Sequence, residues 1–200
     1  SDTGGFFVTE RDAKYPDGLK SNDYKELYSR WFQFSAFTPV FRAHGTNVPR
    51  EVWQFGEKGT SYYDNQVKYI HLRYRLLPYV YSMSHQVTAN NYTLLRGLAM
   101  DFTTDTRTFD IDNAYMFGTS LLVRPVFHPQ SEEKNISVYL PEHNGGYWYD
   151  FWTGKAFEGG REQMQANTLD ILPLYVKAGS ILPLAEVKQY AMEYPDRELE

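Results

Sequence analysis

The sequence predicts a chain of two unlike parts, α/β followed by all-β, joined near residue 93. Two patterns carry this reading. Before residue 93, apolar residues recur at three- and four-residue spacing over two long stretches, as amphipathic helices require. After it, short apolar runs stand between Gly, Pro, Asn and Asp at roughly ten-residue intervals, as the short strands of a sandwich require. A third observation sets the scale. An eight-fold β/α barrel needs about 250 residues, so about 93 residues hold at most its last two β/α units. The fold class is therefore the C-terminal part of a (β/α)8 TIM barrel with a β-sandwich domain behind it.

Taken in order, Ser1-Asp2-Thr3-Gly4-Gly5-Phe6-Phe7 reads as the end of a strand entering a glycine turn. A chain that opens inside such a motif is expected to be a piece of something longer. A polar loop follows, with a turn signal at Tyr15-Pro16-Asp17-Gly18. Asp23 and Glu26 have the spacing of a capping box. Tyr24, Leu27, Tyr28, Trp31 and Phe34 or Ser35 then mark one helix face, and Pro39 ends the helix. Residues 45–60 read as a loop. A second helix is expected from about Ser61 to about Asn90, with Val67, Ile70, Tyr74, Leu77 and Tyr81 buried and a kink at Pro78. Strand candidates are Ser120–Val123, Ile136–Leu140, Tyr147–Asp150, Leu174–Val176 and Ser180–Leu184. The expected division is 1–93 for the barrel end, 94–188 for the sandwich, and 189–200 for a linker or the start of a further, truncated domain.

Composition narrows the function classes. The chain has 200 residues, 42% hydrophobic and 17% aromatic, enough for a substantial core and too rich for disorder. Its net charge of −5 comes from interspersed acids and bases with no basic stripe, which argues against a nucleic-acid partner. No apolar run approaches the ~18 residues of a membrane span. With no cysteine, disulfides, thiolate metal sites and cysteine nucleophiles are excluded. No histidine spacing suits a metal either.

Three stretches are candidates for chemistry. Asp2 at a strand end before Gly4-Gly5 sits where barrel enzymes place site residues; a plain strand-to-loop turn explains it equally. In Arg42-Ala43-His44-Gly45, alternation puts Arg42 and His44 on one face, suited to binding hydroxyls. The competing reading is an arginine paired with a core carboxylate and a histidine in a structural hydrogen bond. Tyr147-Trp148-Tyr149-Asp150-Phe151-Trp152-Thr153-Gly154 is either a sugar-stacking platform or a hairpin packed against the barrel. Asp2, Asp12, Asp17, Glu51, Asp101, Asp105, Asp110 and Asp112 offer no pair that the sequence alone places in one pocket.

Together these blocks resemble glycoside hydrolase family 31. The resemblance rests on Ser1–Phe6, on Glu26–Phe34 running through Thr38–Gly45, on Arg73–Tyr81, on Tyr115–Val126 and Gly146–Gly154, and on Pro173–Pro183. Asn47–Gly56 and Arg96–Phe102 are most similar to bacterial α-xylosidases, whereas α-glucosidases share most blocks. The resemblance implies a retaining mechanism with an aspartate nucleophile and an aspartate acid/base, about 5 Å apart. Both belong to earlier barrel strands, so no catalytic residue is expected within residues 1–200, and the piece alone is expected to be inactive. What the resemblance assigns here is substrate binding: His44 to sugar hydroxyls, Phe6 as an apolar wall, and Asp2 to shape the first loop. Arg30 and Arg42 are assigned to structural ion pairs. It implies no cofactor and no metal. The expected partners are an oligosaccharide substrate and the remainder of the chain's own barrel. A bacterial periplasm or cell envelope is expected over the cytoplasm. A non-catalytic carbohydrate-binding or structural module is the alternative from another class.

Overall fold

The computed structural model describes residues 2–10, 13–144 and 146–193. Ser1, Asp12 and the expected entry to a further domain, Tyr194–Glu200, lie outside them. Helices come first and antiparallel sheet follows.

The first helix, α1, spans Asn22–Ser35. Its N-cap is Ser21, whose hydroxyl accepts from the Tyr24 amide at 3.3 Å. The capping box expected from Asp23 is therefore displaced: Asp23 lies inside the first turn, where its charge suits the helix dipole. Tyr24, Tyr28, Phe32 and Ser35 are buried, while Leu27, Trp31 and Phe34 are half-buried. The helix ends before Pro39 because Thr38 turns back, its Oγ1 donating to the Ser35 carbonyl at 2.7 Å. Arg73 covers the exit by donating to the carbonyls of Ala36, Thr38 and Pro39. A cation at a helix C-terminus also complements its dipole.

The expected single kinked helix is two helices, α2 (Ser61–Arg75) and α3 (Leu77–Asn90). The break falls at Leu76, because Pro78 cannot donate to the preceding turn but is well placed at the start of a new one. Asn91, in a left-handed conformation, closes α3.

Eight strands follow: β1 Leu95–Gly97, β2 Tyr115–Phe117, β3 Leu121–Val123, β4 Asn135–Leu140, β5 Tyr147–Asp150, β6 Ala156–Glu158, β7 Arg161–Ala166 and β8 Leu174–Lys177. They form a six-stranded sheet in the order β1-β2-β3-β8-β5-β6 and a separate β4-β7 pair, antiparallel throughout. A short helix, α4 (Leu98–Asp101), follows β1. Ser180–Leu184 is not a strand: it is irregular, with the Ala185 amide bonded to the Arg75 carbonyl at 2.8 Å. Pro183 removes a ladder donor there.

The two parts meet at residues 167–172, the segment before β8. Arg30 donates to Asn167 Oδ1 at 2.6 Å and to the Thr168 carbonyl at 2.9 Å. The Leu169 carbonyl accepts from Gln33 at 2.5 Å and from Asn65 at 2.8 Å. The Asp170 carbonyl accepts from Lys68 at 2.7 Å and Tyr69 at 3.3 Å, and Tyr69 also accepts from the Leu172 amide. This explains why Arg30, Gln33 and Asn65 are buried despite their polarity: each meets backbone that has no sheet partner. Trp152 joins the same contact, its indole donating to the Leu172 carbonyl at 2.8 Å while Lys68 stands 4.2 Å over its ring.

Candidate sugar site

The barrel part is represented by two strand ends. Thr3 and Ala43 form a parallel bridge. The Thr3 hydroxyl is fully buried, 2.7 Å from the Ser35 hydroxyl and donating to the Arg42 carbonyl at 2.9 Å, so this face lies against α1. Alternation sends Asp2 to the opposite face, with Arg42 and His44. All three are exposed.

Both strand ends run into loops that must turn sharply. Gly4 and Gly5 have φ of 85° and 86°. A methyl group at Gly4 would meet the Tyr28 ring at under 3.0 Å, so the backbone lies directly on α1. The turn is closed by the Gly5 amide donating to the Asp2 carbonyl at 2.8 Å. Phe6 follows, half-buried, and its ring meets the His44 ring edge-on at 5.3 Å and 61°. The His44 nitrogens have no hydrogen-bond partner among the described residues. An apolar ring beside an open donor and acceptor suits a pyranose, whose faces are C–H and whose edge is hydroxyl.

Sequence reasoning missed Arg50. Its guanidinium donates to the carbonyls of Gly5 at 2.6 Å and Phe6 at 3.3 Å on one loop, and of Val48 at 2.6 Å and Thr46 at 3.3 Å on the other. Its own carbonyl accepts from the Tyr28 hydroxyl at 3.0 Å. Tyr28 in turn stacks on Phe55 at 4.2 Å, and burial pushes its phenol far above the usual tyrosine range, keeping it a donor. A lone arginine in a loop carries no sequence signal. Its role exists only in the contacts.

Other expectations separate. Arg30 does lie 3.7 Å from Glu26, but its shorter bonds go to Asn167 and Thr168. Burial lowers its pKa, so the pairing compensates a desolvated charge. The ion pair expected of Arg42 is absent among the described residues: its guanidinium stands exposed on the His44 side. Asp101 is held by Arg96 at 2.8 Å. Asp105 accepts from the Tyr139 hydroxyl at 2.5 Å and the Glu142 amide at 2.9 Å. Trp148 is fully buried, with its indole bonded to the Pro141 carbonyl, so the aromatic hairpin packs inward at that position. Tyr147 and Tyr149 face outward. Among the described residues no group of three or more His, Asp or Glu is placed to hold a metal ion, and no helix is long and apolar enough to cross a membrane.

Comparison with known proteins decides the family. The glycosyl hydrolases family 31 TIM-barrel domain matches residues 1–83, and the family 31 C-terminal domain matches residues 91–182. The chain belongs to glycoside hydrolase family 31. An α-xylosidase of Saccharolobus solfataricus is 45% identical over 184 residues, covering 92% of this chain and 23% of that protein. A 1,6-α-glucosyltransferase of Sporosarcina globispora is 38% identical over 193 residues, covering 94% of this chain and 14% of that protein. Among solved structures, a family 31 α-xylosidase from Xanthomonas citri superposes with a TM-score of 0.86 at 39% identity, over 96% of this chain and 20% of that one. A Flavobacterium johnsoniae family 31 dextranase superposes at 0.79 with 34% identity, over 88% and 21%. The chain thus spans less than a quarter of the length of these relatives.

Proposed function

We propose that this chain is the sugar-gripping end of a retaining α-glycosidase that removes terminal α-linked xylose from xyloglucan-type oligosaccharides. The observation that carries this is the pairing of His44, with open ring nitrogens, and Phe6 at two adjacent parallel strand ends. Barrel enzymes bind substrate at that end of their strands. In this reading His44 exchanges hydrogen bonds with sugar hydroxyls and Phe6 packs on the sugar face. Asp2 shapes the first loop. The nucleophile and the acid/base are aspartates outside residues 1–200. The first attacks the anomeric carbon as the second protonates the departing oxygen, and the second then activates the water that releases the sugar. Residues 1–200 alone are therefore expected not to turn over substrate.

The xyloside preference draws on the two α-xylosidases at 45% and 39% identity. An α-glucosidase is the second reading, supported by the α-glucosidase 2 of Bacillus thermoamyloliquefaciens at 34% identity. The test compares p-nitrophenyl α-xyloside with the α-glucoside on the full-length protein. Faster xyloside turnover is expected, and equal or faster glucoside turnover overturns the xylosidase assignment.

A further inference from the structure

Two loops carry the proposed sugar contacts, and something must fix the gap between them. Their direct links include the Thr3–Ala43 bridge, the Thr3 hydroxyl on the Arg42 carbonyl at 2.9 Å, the Thr46 amide on the Phe6 carbonyl at 3.0 Å, the Val8 amide on Asn47 Oδ1 at 3.4 Å and Asn47 Nδ2 on Glu10 Oε1 at 3.0 Å. Of these only the Thr46 bond reaches Phe6 itself.

We propose that Arg50 is a positioning residue whose guanidinium sets the spacing of Phe6 and His44, and hence the width of the sugar pocket, without touching sugar. This rests on the functional reading above for its catalytic consequence, but not for its geometry. One rigid planar cation reaches two carbonyls on each loop. Lysine has the same charge but a single ammonium centre, which cannot serve four oxygens spread over two loops. Two neighbouring positions are fitted to this arrangement. Gly45 has φ 153°, and a Cβ there would strike the guanidinium, so glycine beside His44 is what admits the cation. Tyr28 ties the Arg50 carbonyl to α1, so the clamp is referenced to the most buried helix of the barrel part. The line of force runs from the α1 core through Tyr28 to Arg50, and from there to both loops at once.

The Arg50 Nε is buried without a partner. A group held only to stabilise the loop would be replaceable by one that carries no such orphan. The four-way fork is the feature for which arginine is needed here.

The test uses the full-length protein with Arg50→Lys and Arg50→Ala. Hydrogen exchange is followed in peptides covering 5–8 and 44–48, with 115–123 as the control. Faster exchange is expected in both loops together and not in the control. For p-nitrophenyl α-xyloside, kcat/KM is expected to fall about 30-fold, mostly in kcat, since a displacement of about 1 Å costs on the order of 100-fold in rate. Guanidinium at tens of millimolar should restore activity to Arg50→Ala, and ethylammonium should not. Unchanged exchange in either loop overturns the proposal. So does an activity loss that follows the folded fraction and resists guanidinium. If the wild-type protein hydrolyses neither the xyloside nor the glucoside, the functional reading fails, and the exchange of the two loops still decides the role of Arg50.

Discussion

Arg30→Met cuts the joint between the helices and the sheet at its most charged point. Arg30 is 4% exposed and reaches a segment 137 residues away. Two short bonds, to Asn167 Oδ1 at 2.6 Å and the Thr168 carbonyl at 2.9 Å, are lost together. Bonds to a charged donor contribute about 1.5–3 kcal/mol each, and Asn167 Oδ1 would be left without a donor in a closed environment, while the Thr168 carbonyl keeps the Ile171 amide at 3.3 Å. Against this, burial destabilises the Arg30 charge itself, as its lowered pKa records. Methionine also replaces much of the apolar stem. The balance is a loss of about 2–4 kcal/mol. Urea unfolding of the full-length protein, with Asn167→Leu and the double variant, measures it. A coupling of about 1–2 kcal/mol is expected between the two sites, which share one bond. A cost below about 1 kcal/mol for Arg30→Met, or strict additivity with Asn167→Leu, would refute this account of the joint.

Other expectations follow from single contacts. Tyr79→Phe removes a hydroxyl that donates to the Phe117 carbonyl at 2.8 Å and accepts from the Ser120 amide at 3.1 Å; it should cost about 1–3 kcal/mol in the same unfolding assay. His143, against Phe102 and Trp148, has its pKa lowered chiefly by burial, so the fold favours the neutral ring. Its contribution is full above the unfolded value near 6.5 and declines as pH falls below it. Thermal midpoints from pH 7.5 to 5 should therefore drop less steeply for His143→Gln than for wild type. Tyr175 is pushed up to about 12, first by burial and then by the Asp150 charge. It stabilises the fold fully below pH 10 and loses that contribution as pH rises towards 12; absorbance titration of Tyr175→Phe should lose one late-titrating phenol. His44→Ala should lower kcat/KM of the full-length protein by about 10–100-fold, the equivalent of one or two hydrogen bonds to sugar. Unchanged kcat/KM would remove His44 from the pocket.

Part of this was legible because some periodicities are strong; the face of the long helical stretch was not, since Tyr81, expected buried, is exposed, and Tyr69, Leu72, Leu76 and Tyr79 are buried instead. The α1 face, the strand at Tyr147–Asp150, and the pairing of Phe6 with His44 all follow from local pattern or from motif resemblance. What stayed hidden depends on distant partners. β7, Arg161–Ala166, is largely exposed, so it shows little apolar alternation and becomes a strand only by pairing with β4. The α2–α3 break looked like a kink because Pro78 suits both outcomes until the dihedrals of Leu76 are known. Arg50 and Arg30 were visible as residues but not as clamps, since their acceptors are mostly main-chain carbonyls that any sequence supplies.

That last point gives the joint at 167–172 an uneven specificity. The helices contribute particular side chains: Arg30, Gln33, Asn65, Lys68 and Tyr69. The segment they hold answers almost entirely with backbone, and Asn167 is its one side chain in these bonds. The grip is thus on the path of the chain and not on its lettering. Residues 168 and 169 can change identity while the barrel part still recognises them, whereas Asp170 also sets its charge against Arg30 and Lys68, and each donor on α1 or α2 is fixed by reach and geometry. Sheets with different loop sequences should therefore dock on the same pair of helices, provided the chain enters β8 along the same line.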